Sequence, residues 1–232
     1  MSEQLLEVRD LRVVYESDEE TVHAVNGISF SIGKQETLGL VGETGAGKTT
    51  TALSILRLLP DRIGKITSGS ITYRGEDLLA KTPAQMRKIR GESIAMIFQD
   101  PMTSLNPVLT VGDQILEALE LMSFVKQHPS TLSGGQKQRL ALGVALMHEA
   151  SIIVLDEPTS GLDGTNMRNV SRMIRKLAKM GRTIIVITHD AECALACCER
   201  AIRLENGCIT DDFQIRGAEL LLDKIGYDKK EG

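Results

Sequence analysis

The chain has no tryptophan, three tyrosines and four phenylalanines, so aromatics make up 3% of its 232 residues. That excludes a base-stacking surface for single-stranded nucleic acid, which needs aromatic faces along a groove. Positive charge is also short: 27 Lys and Arg face 31 Asp and Glu, for a net charge of −4. Such a balance offers no basic field for a nucleic-acid backbone. No apolar run approaches the roughly 18 residues of a transmembrane helix. The polar opening Met1-Ser2-Glu3-Gln4 does not have the form of a secretory signal. The four cysteines, Cys193, Cys197, Cys198 and Cys208, match no zinc-ligand spacing. They read as inert, buried or half-buried thiols of a protein kept in a reducing compartment.

What is present is ordinary for one large globular domain with a substantial core: 42% hydrophobic and 25% charged residues. Within it, Gly42-Glu43-Thr44-Gly45-Ala46-Gly47-Lys48-Thr49, followed by Thr50, fits the P-loop pattern at every fixed position. The short apolar run Glu36 to Val41 before it reads as a buried parallel strand. Lys48 to Leu59 after it reads as a helix with Ala52, Leu53, Ile55, Leu56 and Leu59 on one side. Strand, glycine-rich turn and helix form the context the motif requires. Its glycines let successive N–H groups turn toward a phosphate at the positive end of the helix. Lys48 would reach the β- and γ-phosphates, and the Thr49 hydroxyl would bind Mg²⁺.

The N-terminal stretch predicts antiparallel strands. Leu5 to Tyr15 alternates, with a slip at Asp10 that suggests a bend, and Ala24 to Ile32 has strand composition. Tyr15 stands before the charged loop Glu16 to Glu20, where it is either a base-stacking aromatic or a strand-end core tyrosine. Gly69 to Glu76 reads as a strand ending in a turn. Thr82-Pro83 opens a helix running to about Arg90. Ile94 to Phe98 is a second short buried strand, and Gln99 at its end can reach a γ-phosphate, its Mg²⁺ or an attacking water. Thr110 to Met122 has helical periodicity.

Leu132-Ser133-Gly134-Gly135-Gln136 leads into an apolar helix that Ser133 can cap, which makes a second anion site. Two phosphate-binding helix ends need an arrangement that brings them together, and two copies packed head to tail would do so. Ser151 to Leu155 is a buried strand ending in Asp156-Glu157. Adjacent carboxylates there are costly without a metal or a reaction. Asp156 suits Mg²⁺, and Glu157 can polarise the attacking water. Ser160-Gly161-Leu162-Asp163 is a turn before a helix from Gly164 to Met180 that buries Met167, Val170, Ile174 and Leu177. Thr183 to Thr188 is a further buried strand, delivering His189 to the edge where open parallel sheets bind ligands. Asn206-Gly207 closes a terminal hairpin, and Gly217 to Ile225 reads as a last amphipathic helix.

Taken in order, GETGAGKT, Gln99, LSGGQ, IIVLDEP, SGLD and the strand-end histidine resemble the nucleotide-binding subunit of ATP-binding-cassette (ABC) proteins over nearly the whole chain. The front half, through Met96 to Pro107, is similar to importer ATPases for dipeptides, oligopeptides and nickel. The back half, with Thr188 to Cys193 and Arg203 to Gly207, is similar to energy-coupling-factor ATPases of cobalt and vitamin uptake. The resemblance implies an α/β P-loop fold: a mostly parallel central sheet, an N-terminal antiparallel β region and a helical subdomain. The whole chain, 1–232, would form one nucleotide-binding domain. Its helical subdomain, at about 100–148, is shorter than usual by roughly two helices.

The resemblance further implies ATP and Mg²⁺ as cofactors, with Tyr15 stacking on adenine and Gln99 opening the loop that senses the membrane partner. LSGGQ would contact ATP held by a second subunit, Asp163 would link the two sites, Glu157 would be the catalytic base and His189 the switch residue. The partners implied are a second ABC ATPase subunit and transmembrane permease subunits, with no nucleic acid. The expected location is cytoplasmic, on the inner face of the cell membrane. The expected work is powering import of a small solute: a peptide, metal ion or vitamin. Two other readings stay open: a degenerate or regulatory cassette that binds ATP without efficient turnover, and a soluble non-transport ABC ATPase.

Overall fold

The computed structural model describes residues 4–99, 131 and 150–215. The LSGGQ segment, the helix expected at Thr110 to Met122 and the last helix at Gly217 to Ile225 lie outside the described residues.

Two long strands, β1 (Gln4–Glu16) and β2 (Thr21–Gly33), pair antiparallel. With β4 (Gly64–Tyr73) and β5 (Glu76–Asp77) they make a sheet of order β2-β1-β4-β5. The slip at Asp10 is a bulge: Asp10 has φ of 47°, and the β1–β2 register shifts between Val8 and Leu11. Inward residues Leu6, Val8, Leu11 and Val13 are buried, as the alternation required.

The second sheet has the order β10-β9-β3-β8-β7-β6. Its parallel core consists of β3 (Thr37–Val41), β6 (Ile94–Ile97), β7 (Ile152–Asp156), β8 (Thr183–Thr188) and β9 (Arg200–Glu205). The edge strand β10 (Cys208–Gln214) runs antiparallel to β9. Strands β3, β7 and β8 are buried along their whole length, because apolar layers cover both faces. On one face, Ile152, Val154, Ile185 and Ile187 join Leu6, Val8 and Ile32 of the first sheet, together with Ala52, Ile55 and Leu56 of helix α1 (Lys48–Leu56). On the other, Ile153, Leu155, Ile184 and Val186 pack against Val170, Ile174 and Leu177 of α3 (Gly164–Lys179) and Cys193 and Cys197 of α4 (Ala191–Cys197).

Two local expectations change, the end of α1 and the burial of Met167. Helix α1 stops at Leu56, not Leu59, because Arg57 adopts φ of 51° and the Leu58 N–H returns to the Leu53 carbonyl. The Arg90 guanidinium then caps that end on the carbonyls of Leu56 and Arg57, at 2.8 and 2.6 Å. Helix α2 (Pro83–Glu92) has the expected Thr82 cap, closed into a capping box by Gln85, and its helical backbone ends where expected, at Arg90 and Gly91. Met167 is half-buried on α3, whose inner face is completed by Ser171. Helix α4 was not anticipated from the sequence, although Asp190 caps it through the N–H groups of Glu192 and Cys193.

Candidate functional site

Four strands that are neighbours in the sheet, β3, β8, β7 and β6, end at one edge. Beyond β3 comes the P-loop, beyond β8 His189, beyond β7 Glu157, and shortly after β6 the exposed Gln99. The strand sequences fix the length of each arm, and parallel pairing puts the ends side by side. Val41 pairs with Thr188, and Asp156 with Ile187.

The loop turns on three glycines with positive φ: Gly42 at 143°, Gly45 at 84° and Gly47 at 95°. Gly47 stands at the N-cap of α1 and makes no side-chain cap bond, so the first-turn N–H groups belong to the loop's concave side. The Lys48 ammonium donates to the carbonyls of Gly42 and Glu43 at 2.6 and 2.7 Å. Burial lowers the pKa of Lys48, against the attraction of Glu157, Asp156 and Glu43. Ala46 is buried, while Glu43, Thr44 and Gly45 are exposed along the rim.

The Thr49 hydroxyl donates to Oδ1 of Asp156 at 3.1 Å, joining two of the three residues expected to hold Mg²⁺; the third, Gln99, makes no bond to either among the described residues. Burial pushes the Asp156 carboxyl up, the Thr49 bond pulls it down, Glu157 raises it and Lys48 lowers it. A half-solvated hydroxyl and a buried carboxylate that is costly to ionise form a donor set suited to a hard divalent cation.

Glu157 carries φ of 47° immediately before Pro158, a conformation disfavoured for any residue with a side chain and for one that precedes proline, costing about 1–3 kcal/mol. The strain is held by a net of bonds. Its N–H donates to the Ile187 carbonyl at 2.8 Å, Oε2 accepts from Thr188 at 3.2 Å, and Oε1 accepts from the His189 N–H at 3.1 Å. His189 Nδ1 lies 2.7 Å from the same Oε1.

Tyr15 is half-buried, and its hydroxyl meets Thr50 Oγ1 at 3.2 Å, which sets the ring beside the start of α1. Asp163 caps α3, accepting from the N–H groups of Thr165 and Asn166; the Asn166 bond leads in holding its carboxyl below the usual range. Ser133, Gly134, Gly135 and Gln136 lie outside the described residues. Sequence reasoning missed Thr188, which grips Glu157, and Thr159, whose hydroxyl reaches Asp190 Oδ2 at 3.4 Å. Both hydroxyls sit beside residues that were singled out, and that adjacency was the one available signal.

A family model described as "ABC transporter" matches residues 25–160. A probable peptide ABC transporter ATP-binding protein of Sinorhizobium fredii is 39% identical over 237 residues, covering 91% of this chain and 71% of that protein. That alignment is longer than the 232-residue chain itself, so the relative contains stretches with no counterpart here. Among solved structures, a dimeric ATP-binding cassette in a post-hydrolysis state bound to ADP and Pi superposes with a TM-score of 0.81 at 27% identity, covering 92% of this chain and all of that one. The cbiO1 protein of Clostridium perfringens, part of the ABC transporter complex cbiONQ, also gives 0.81, at 25% identity over 97% of this chain and 93% of its own.

Proposed function

This chain belongs to the ABC transporter family as an ATP-binding subunit, and from that premise we propose that it hydrolyses ATP to power peptide import through separate membrane subunits. One observation carries the hydrolytic reading: Thr49 meets Asp156 and Glu157 meets His189 at the shared edge of β3, β7 and β8. The P-loop N–H groups and Lys48 bind the β- and γ-phosphates, and Tyr15 stacks on the adenine. Thr49, Asp156 and Gln99 would hold Mg²⁺, which would supply charge neutralisation at the transferred phosphoryl group. The Glu157 carboxylate takes a proton from the attacking water as its oxygen adds to the γ-phosphorus and the bond to ADP breaks. His189 orients Glu157 and presents its ring to the γ-phosphate.

The edge is open, since Glu43, Thr44, Gly45, Thr49 and His189 are exposed. A second ATPase subunit packed there closes it to water and brings Ser133, Gly134, Gly135, Gln136 and Asp163 to the nucleotide. No helix among the described residues is long and apolar enough to cross a membrane. That suits a cytoplasmic subunit docked on permease subunits at the inner face of the membrane. The peptide assignment rests on the relative from Sinorhizobium fredii. We read 1–232 as one nucleotide-binding domain with a reduced helical subdomain at about 100–148; the relative's extra length is compatible with that shortening. The same shortening favours a second reading, a cassette that binds ATP but turns it over poorly.

Steady-state hydrolysis measured against enzyme concentration separates the two. A rate rising more than linearly with enzyme and absent in Glu157→Gln supports a competent dimer. ATP binding without turnover at any concentration supports the second reading.

A further inference from the structure

Resting on the ATP-binding reading, we propose that the β9–β10 turn, Asn206-Gly207, and Asn26 of β2 form a brace that sets the P-loop in its phosphate-binding shape. A loop built on Gly42, Gly45 and Gly47 is intrinsically loose, because glycine gains the most conformational freedom when released. Something outside the loop must hold its N–H groups in convergence.

The structure shows what presses on it from behind. The Gly207 N–H donates to the Ala46 carbonyl at 3.3 Å. A Cβ on Gly47 would stand 2.4 Å from the Ala24 carbonyl oxygen and 3.5 Å from Gly207 Cα. A Cβ on Gly42 would stand 2.2 Å from the carbonyl oxygen of Leu204, which lies in β9 two residues before the turn. The loop is therefore seated on backbone from β2 and β9, not on side chains that can yield.

Asn26 locks that seat. Its N–H donates to the Gly207 carbonyl at 2.8 Å, and its Nδ2 donates to the carbonyls of Asn206 at 2.8 Å and His23 at 3.3 Å. Gly207 has no room to be anything else: φ is 75°, and a Cβ would lie 2.7 Å from Asn26 Nδ2. Asn26 and Gly207 are thus positioning residues, acting on phosphate through the amides of residues 46–48 without touching it.

Asn26→Asp keeps the side chain's size and removes its donor; Gly207→Ala forces the turn off the loop. Thr210→Ala, which loses a bond to the Arg203 carbonyl in the same hairpin, reports loosening of the hairpin alone. Each full-length variant is titrated with ATP and Mg²⁺ by calorimetry, and its Tm is read without nucleotide. Asn26→Asp and Gly207→Ala should weaken ATP binding by about tenfold, raising KM more than they lower kcat, while Thr210→Ala should bind as wild type. Should Gly207→Ala fail to fold, Asn26→Asp decides, since it adds no bulk. A lowered Tm with unchanged ATP affinity in Asn26→Asp would reduce the turn to a structural hairpin. Failure of the wild-type chain to bind ATP would instead overturn the ATP-binding reading, and the brace with it.

Discussion

Nδ1 of His189 lies 2.7 Å from Oε1 of Glu157, and the His189 backbone N–H reaches the same oxygen at 3.1 Å. The two side chains meet at very different depths, 57% exposed for the histidine and 11% for the glutamate. A half-sheltered carboxylate is thus aimed by an exposed ring, the geometry of a base whose orientation is set from outside. Residues in contact that act as a unit show strongly non-additive kinetics. Glu157→Gln and His189→Ala are each expected to lower kcat by about 100-fold or more, with the double variant hardly worse than Glu157→Gln. Turnover at saturating ATP checks this, and effects that multiply would mean independent roles.

Asp156 is a site where function opposes stability. Because burial raises its carboxyl, the folded chain holds that proton more tightly than the unfolded chain does. The ionised form therefore costs stability above the folded pKa, and the cost is relieved as pH falls through it. Asp156→Asn should abolish hydrolysis yet raise the nucleotide-free Tm at pH 7, by about 2–4 °C for each kcal/mol regained. The gain should shrink on acidification. Thermal melts of both chains across pH 5–8 test it.

Glycine positions in the P-loop are not equivalent. A Cβ at Gly42 overlaps the Leu204 carbonyl, whereas one at Gly45 meets nothing within 4 Å. Gly45→Ala should cost about 1–2 kcal/mol, the strain of left-handed backbone alone. Gly42→Ala should cost about 3 kcal/mol or more, because backbone must shift. Urea unfolding midpoints at equal m-values provide the comparison.

The thiols divide by depth. Cys193, Cys197 and Cys198 are buried, while Cys208 is exposed. The bond with Cys197, and then burial, push the Cys193 thiol well up and leave it without nucleophilic thiolate. Iodoacetamide should modify Cys208 alone in the native chain and all four cysteines after denaturation, as read by intact and peptide mass spectrometry.

Much of the site was legible because its residues are clustered in short motifs whose chemistry is local. The P-loop glycines, Lys48-Thr49 and Asp156-Glu157 each combine unusual composition with a strand end, and that is visible without a fold. The bulge at Asp10 and the Asn206-Gly207 turn were legible for the same reason, as breaks in a two-residue period. Thr188, Thr159 and α4 were not: a threonine in a β-rich run looks like any strand residue, and Thr159, in the turn after Pro158, looks like any turn threonine. The seven residues of α4 are also too few, and too uniformly apolar, to show a helical period.

The sequence by itself determined most of the elements: which segments are buried strands, where glycine-rich backbone must turn, and where adjacent carboxylates follow a buried strand. Only the tertiary structure decided the strand order, and with it which strand ends are neighbours. Strand β8 comes late in the chain yet inserts between β3 and β7, so His189 reaches Glu157 from 32 residues away. The same arrangement carries the Asn206-Gly207 turn to Asn26 across 180 residues. Apolar periodicity specifies that a strand is buried on both faces, but every such strand carries the same pattern. The choice of partner lies in non-local packing that no local window contains.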